Sequence, residues 1–264
     1  MSQFLSAIQQ FDSISLSQMD SVALLNRFDV KYQLPESKLI EVLQSIIKQY
    51  YILEINQSRI HNYNTIYYDT TEDSMYTSHH NGKLNRLKIR KRKYTDSGLA
   101  FLEIKRKNNK RKTKKLRMVA ENDNELFTSN ELDFLKQNTN FDFKLSNSTL
   151  PVKNTNSFKR ITLVNKDLSE RCTIDINVTS FSKDKKVELN SMAIVEVKQS
   201  SLMAKTCLTQ KLKTIGAQQQ GFSKYCIGRA FLEPDLKQNL FKEKLNALKK
   251  EFNGNIRLIS VTNL

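Results

Sequence analysis

The chain has 264 residues, 39% of them apolar, enough to bury a core in one large domain or in one domain with small helical additions. Lys and Arg total 43 against 27 Asp and Glu, a formal net charge of +16, and the mean hydropathy is −0.54. With no signal peptide, transmembrane run or lipidation motif, these values argue against a helical membrane protein and for a soluble, cytoplasmic chain whose partner or substrate carries many negative charges.

Phe4, Ile8 and Phe11, then Leu16, Met19, Val22 and Leu25, fall at helix-like intervals, so one or two amphipathic helices open the chain. A strand from Leu25 to Leu34 follows, and Pro35 starts a helix through about Tyr50 with Leu39, Val42, Leu43, Ile46 and Ile47 on one face. Next come a strand over Tyr63–Tyr68, a turn at Asp69-Thr70-Thr71, a helix carrying His79 and His80, and a turn at Asn81-Gly82. Strands near Leu84–Tyr94, Leu99–Lys107 and Lys112–Val119 come after it, the first two joined by Asp96-Ser97-Gly98. A helix over Glu125–Asn138, with Leu132 and Leu135 inward, precedes strands over Val152–Val164, Arg171–Thr179 and Met192–Lys198. Leu202–Ile215, Phe222–Phe231 and Leu240–Phe252 read as helices. Runs of antiparallel strands with helices at the ends and in inserts indicate an α+β fold, not a βαβ one.

The charge is uneven. From Lys83 to Arg117, 35 residues, there are 16 Lys or Arg against Asp96 and Glu103, a net +14. A solvated arm accounts for the Lys110-Arg111-Lys112 tip, but not for the flanking segments, where charged and apolar residues alternate. Five segments share this pattern: 27–31, 86–92, 102–105, 171–176 and 195–198. Side chains on a strand alternate between faces, so each segment presents one charged and one apolar edge. If the polar faces converge, they form a cationic bore holding a few acids, suited to a polyanion and a metal ion. Cys172, Cys207 and Cys226 lack metal-ligand spacing and read as reduced core residues.

Arg27-Phe-Asp-Val-Lys31-Tyr32, Tyr67-Tyr68-Asp69-Thr70, His79-His80-Asn81-Gly82, Lys88-Ile-Arg90-Lys-Arg92-Lys-Tyr94, Glu103-Ile-Lys105, Arg171-Cys-Thr-Ile-Asp175, Glu196-Val-Lys198 and Phe222-Ser223-Lys224-Tyr225 occur in that order. The series resembles the VTC domain, the polyphosphate polymerase branch of the triphosphate tunnel metalloenzymes, over about residues 24–232. Residues 1–23 would then be an N-terminal helical segment and 233–264 a C-terminal helical extension. The resemblance implies an eight-stranded antiparallel β-tunnel with flanking helices, and transfer of the terminal phosphoryl group of ATP onto polyphosphate. It implies Lys31, Arg90, Arg92, Lys105, Arg171 and Lys198 as catalytic phosphate ligands. Lys88, Arg117, Arg160 and Lys224 would be further binding residues, and Glu196 would be the carboxylate for Mn²⁺ or Mg²⁺.

Elementary chemistry is consistent with this set. Phosphoryl transfer needs donor and acceptor held in line and the spreading negative charge neutralised, which Arg forks and Lys point charges can do. A hard divalent ion needs only one or two carboxylates beside phosphate oxygens and water. Each residue also has a plainer reading. Glu196 and Lys198 could be a same-face surface pair, Glu103 and Asp175 could orient neighbouring cations, His79 and His80 could be structural, and Ser223 could cap a helix.

Tunnel hydrolases and cyclases open with Glu-x-Glu-x-Lys, whereas here Arg27 takes the first Glu position and Asp29 the second. The lost carboxylate favours transfer over two-metal hydrolysis. Residues 1–23 are too short for the regulatory domain or membrane anchor of eukaryotic relatives, so a stand-alone bacterial type is expected. A separate membrane protein would then supply any export channel and could hold the chain at the inner face of the membrane. A triphosphatase or polyphosphatase, and a non-catalytic module holding polyphosphate or nucleotide, are the alternatives. Nucleic acid is a weaker candidate partner, because only Tyr94 and Phe101 interleave the basic stretch.

Overall fold

The computed structural model describes residues 2–20, 28–110, 113–139, 150–199, 205–252 and 256–260. They fall into two compact units, residues 1–61, 158–178 and 189–222 in one, and 62–157, 179–188 and 223–264 in the other.

The first unit opens with helix α1 (Ser2–Gln9), strand β1 (Asp12–Ile14) and helix α2 (Leu16–Asp20). Strand β1 interrupts the expected helical stretch because Ile14 is buried and β1 pairs in parallel with β3 (Tyr50–Leu53), a long-range contact that no local pattern announces. Val22, Leu25 and Arg27 lie outside the described residues. Strand β2 (Phe28–Pro35) follows, and its Val30, Tyr32 and Leu34 enter the core.

Helix α3 (Glu36–Ile46) buries Leu39, Val42, Leu43 and Ile46 on one stripe, each contributing about 1.5–3 kcal/mol by leaving water. It ends four residues before Tyr50, where the sequence pattern extends it. Tyr50 instead pairs with Asn165 at the start of β3, and its buried hydroxyl donates to the Glu170 carboxylate.

Strands β8 (Val152–Asn165) and β9 (Glu170–Ser182) each contribute residues to both units. The first unit is completed by β11 (Met192–Gln199), helix α6 (Cys207–Thr214) and β12 (Gln218–Gln219). Its strand order is β12-β2-β11-β9-β8, antiparallel where β2 meets β11 and β12 and where β11 meets β9. Ala193, Val195 and Val197 of β11 and Cys172, Ile174 and Ile176 of β9 pack into one core with α3. Cys207 is exposed at the first turn of α6, so the core reading holds for Cys172 and Cys226 but not for Cys207.

The second unit holds β4 (His61–Tyr68), whose first residue belongs to the other unit, then helix α4 (Ser74–His80) and the meander β5 (Arg86–Tyr94), β6 (Ala100–Lys107) and β7 (Thr113–Val119). Helix α5 (Ser129–Asn138), β10 (Lys185–Leu189), helix α7 (Lys224–Leu232), a 3-10 turn (Asn239–Phe241), helix α8 (Lys242–Glu251) and β13 (Ile256–Ser260) complete it. The strand order is β8-β4-β5-β6-β7, with β13 beside β10. The β5–β6 hairpin turns where expected: Gly98 adopts φ +72° and its N–H donates to Tyr94 O at 2.9 Å. Strands β10, β12 and β13 are short, with five, two and five residues.

Both units mix helices with largely antiparallel sheet, the α+β class expected from the sequence. Among the described residues no helix is long and apolar enough to cross a membrane.

Candidate anion-binding faces

In the first unit the apolar edges of β2, β11 and β9 enter the core, and the intervening residues share the other face. The register sets Lys31 opposite Glu196 and Glu196 opposite Thr173, then Asp29 opposite Lys198 and Lys198 opposite Arg171. Lys31 Nζ reaches one oxygen of Glu196 and Lys198 Nζ the other. The carboxylate is therefore held between two ammonium groups, with Arg171 on the next strand beside Lys198. On β8, Arg160 grips Asp175 through Nε–Oδ1 at 2.6 Å and Nη2–Oδ2 at 2.8 Å. Asp175 thus orients a cation, the plainer of its two readings.

In the second unit β4–β7 carry the same division. The polar face has rows Tyr67–Arg90–Glu103–Arg117, Thr65–Arg92–Phe101–Val119 and Lys88–Lys105–Lys115, written across adjacent strands. Arg90 Nε and Nη2 bond the buried Glu103 Oε2 at 2.7 and 2.6 Å, and Lys115 Nζ takes the other oxygen. Burial alone would raise the Glu103 carboxyl; Arg90, Arg92 and Lys115 outweigh it and hold the group well below the usual carboxylate range. Arg92 lies over the Tyr63 ring at 5.7 Å, and Arg117 over Phe101 at 4.8 Å.

Lys88 Nζ donates to Ser223 Oγ at 3.1 Å, while the same hydroxyl accepts from Cys226 N and so caps α7. Burial pushes the Lys88 ammonium down. Lys224 begins α7.

Tyr67 sits at the centre of this face. Its hydroxyl accepts from Arg90 Nη1 at 3.4 Å, and its ring stacks on Tyr225 at 5.2 Å. Burial pushes the phenol up, but Arg90, Lys88, Arg92 and Lys224 together bring it down to about 8. Four residues given a site role from the sequence thus act on one, Tyr67, that the sequence motifs contain but to which they assign no role. Tyr67 and Tyr68 are adjacent in the chain, and only the register with Arg90 tells that Tyr67 points to the polar face while Tyr68 joins the apolar cluster.

Lys91 corrects the opposite way. It interrupts the apolar edge of β5, is buried, and bonds Glu131 at 2.8 Å, Leu126 O at 2.6 Å and Asn122 Oδ1 at 2.9 Å. Part of the basic stretch is therefore structural. Arg111 and Lys112 of that stretch lie outside the described residues.

The histidines divide. His80 is buried, with Nε2 accepting from Leu240 N at 3.1 Å and Nδ1 paired with Asn81 Oδ1 at 2.9 Å. This is the structural role the plainer reading gives it. Nearby, Asp69 accepts from Thr70, Met75 and Tyr76 N–H groups at 2.7–2.8 Å and from Tyr225 OH at 2.5 Å, fixing α4 against α7.

As to a metal, no group of three His, Cys, Asp or Glu among the described residues could hold an ion. Of the carboxylates on these two faces, Asp175 is taken by a guanidinium fork and Glu103 by Arg90 and Lys115, while Asp29 lies exposed near the start of β2, opposite Lys198. Glu196 meets only single-point ammonium partners among its described contacts, so a hard ion completed by phosphate oxygens and water suits its chemistry.

A family model described as the VTC domain matches residues 26–233. Among solved structures, a Hippeastrum protein, HpAC1, described as a proposed adenylyl cyclase with a dominant triphosphatase activity, is 11% identical at a TM-score of 0.51, covering 77% of this chain and 95% of its own. This likeness shows a shared fold. A Pyrococcus horikoshii protein is 11% identical at 0.44, covering 79% and 99%, and a Vibrio parahaemolyticus protein 10% identical at 0.41, covering 75% and 94%. No curated protein matches the chain.

Proposed function

The chain belongs to the VTC domain family, and from this we propose that it is a polyphosphate polymerase-like phosphotransferase that moves the terminal phosphoryl group of ATP onto a polyphosphate chain. The observation that carries the reading is the make-up of the β5–β7 face. Lys88, Arg90, Arg92, Lys105 and Arg117 share it with one carboxylate, Glu103, whose described contacts are cations of the same face. Such a face has a large surplus of donors that match phosphate oxygens.

In this reading Arg90 and Arg92 grip phosphate oxygens in pairs, with Lys88, Lys105, Arg117 and Lys224 adding charge. Glu103 and Tyr67 position Arg90. In the first unit Lys31, Arg160, Arg171 and Lys198 serve the same purpose. Glu196 would hold a Mn²⁺ or Mg²⁺ ion, which when bound neutralises charge on phosphate oxygens. The nucleophile is the terminal phosphate oxygen of the acceptor chain. It forms a P–O bond to the γ-phosphorus as the bond to the ADP oxygen breaks, and the cations stabilise the charge that spreads in between.

Hydrolysis is the second reading, favoured by the triphosphatase activity described for the Hippeastrum protein of shared fold. Water would then replace the acceptor chain. Incubation with ATP and Mn²⁺ or Mg²⁺, followed by gel analysis and product assay, separates the two. Polyphosphate with ADP supports transfer, and inorganic phosphate without polymer supports hydrolysis. Anion binding without any turnover would leave a holding module and reject both reactions.

A further inference from the structure

The cationic face of β5 and β6 does not stop at Lys88. Residues 86, 88, 90 and 92 alternate onto one face, and the register sets Arg86 opposite Lys107 one row beyond the Lys88–Lys105 pair. Like charges directly opposite on neighbouring strands repel. All four are partly buried, which weakens their screening by water.

Helix α8 adds to this end of the face. Its start is tied to α4, where Leu240 N donates to His80 Nε2 and the Phe241 ring lies 5.0 Å from His80 and 6.4 Å from His79. Lys244 is one turn further along from Phe241. Burial, followed by the charges of Lys88, Arg86, Lys244 and Lys107, pushes the His79 imidazole down to about 3. The uncharged imidazole keeps one N–H donor without adding to the repulsion.

We propose that Arg86, Lys107 and Lys244, with His79 among them, form an outer subsite for the phosphates of a long chain that run past those held by Lys88, Arg90 and Arg92. This rests on the phosphate-chain reading of the inner face. Lys244 lies beyond residues 26–233, so the family match by itself does not supply it. The anion is a chain, because Arg86 and Lys107 continue the inner row at a spacing of two residues on the same strands, and a compact triphosphate has no further phosphates to offer them.

The test compares tripolyphosphate with long-chain polyphosphate by calorimetry, using wild type and the triple variant Arg86→Gln, Lys107→Gln, Lys244→Gln. The variant should bind the long chain about tenfold or more weakly, with the salt slope reduced by about 2 for three lost contacts on a single strand. Tripolyphosphate affinity should be unchanged. Since the substitutions relieve repulsion, thermal unfolding of the ligand-free variant should occur at or above the wild-type temperature.

Unchanged long-chain binding, or equal loss for both ligands, would overturn the outer subsite. Single-stranded RNA binding more tightly than polyphosphate, with the same loss in the variant, would reassign it to nucleic acid. Failure of wild type to bind tripolyphosphate would instead overturn the inner-face reading, while the long-chain comparison still reports on the outer one.

Discussion

The Tyr67 hydroxyl lies 3.4 Å from Arg90 Nη1, on a face where Lys88, Arg92 and Lys224 also act on it. The phenol ionises at about 8 in the fold against 10.0 ordinarily. The folded value is the lower one, so the stability this ionisation contributes is complete above pH 10 and lost as pH falls through about 8. For an anion the sign reverses, because a tyrosinate repels phosphate. Tripolyphosphate affinity should weaken as pH rises through about 8, in step with tyrosinate absorbance, and Tyr67→Phe should abolish that step while retaining binding at neutral pH. A wild-type affinity flat across this range would refute the assignment.

Glu196 receives Lys31 and Lys198 on its two oxygens. Glu196→Gln should lower metal-dependent turnover by about 10²-fold or more. Polyanion binding, measured without metal, should be no weaker, since a negative charge has left a cationic face. Turnover at the wild-type level would remove Glu196 from the metal role.

Lys91 and Glu131 form a buried pair on the side of β5 away from the anion-binding face. Glu131→Gln should cost about 3 kcal/mol in chemical denaturation, because it leaves a buried ammonium without its carboxylate. Lys91→Met combined with Glu131→Leu should recover most of that loss. Both variants should bind tripolyphosphate normally once folded; a selective loss of binding would contradict the division of the basic stretch between core and site.

Gly228 in α7 faces Ser180, and an added Cβ would stand 2.7 Å from the Ser180 Cβ and closer still to its Oγ. Gly228→Ala should destabilise the protein by about 1–3 kcal/mol through overpacking. Adding Ser180→Gly should restore part of the loss in thermal unfolding, and an unchanged melting temperature for Gly228→Ala would show that the helix shifts freely.

Local alternation was enough to place the strands that carry the charges. Ile89, Ile104, Ile174 and Val197 enter the core as their spacing requires, and their neighbours Arg90, Lys105 and Lys198 occupy the opposite edge; Phe28, expected in the same packing shell, is instead exposed at the start of β2, where Val30 and not Phe28 reaches the core. The Asp96-Ser97-Gly98 turn was equally legible, because the left-handed backbone it needs is one that glycine supplies. Long-range pairing was not legible. Strand β1 reads as helix until its parallel partner β3 is known, and Tyr50 reads as the end of α3 until its contacts with Asn165 and Glu170 appear.

By itself the sequence determined the α+β class, the basic character of the strands and the residue types available for holding phosphate, because periodicity and charge are properties of neighbours along the chain. The tertiary structure alone decided which cations act together. Lys91 and Arg90 are adjacent, yet the pleat sends one to Glu131 in the core and the other to Glu103 and Tyr67 on the polar face. Phe241 meets His79 across more than half the chain. Strand register and helix docking set these distances, and Coulomb energy depends on distance in space, not on separation in sequence.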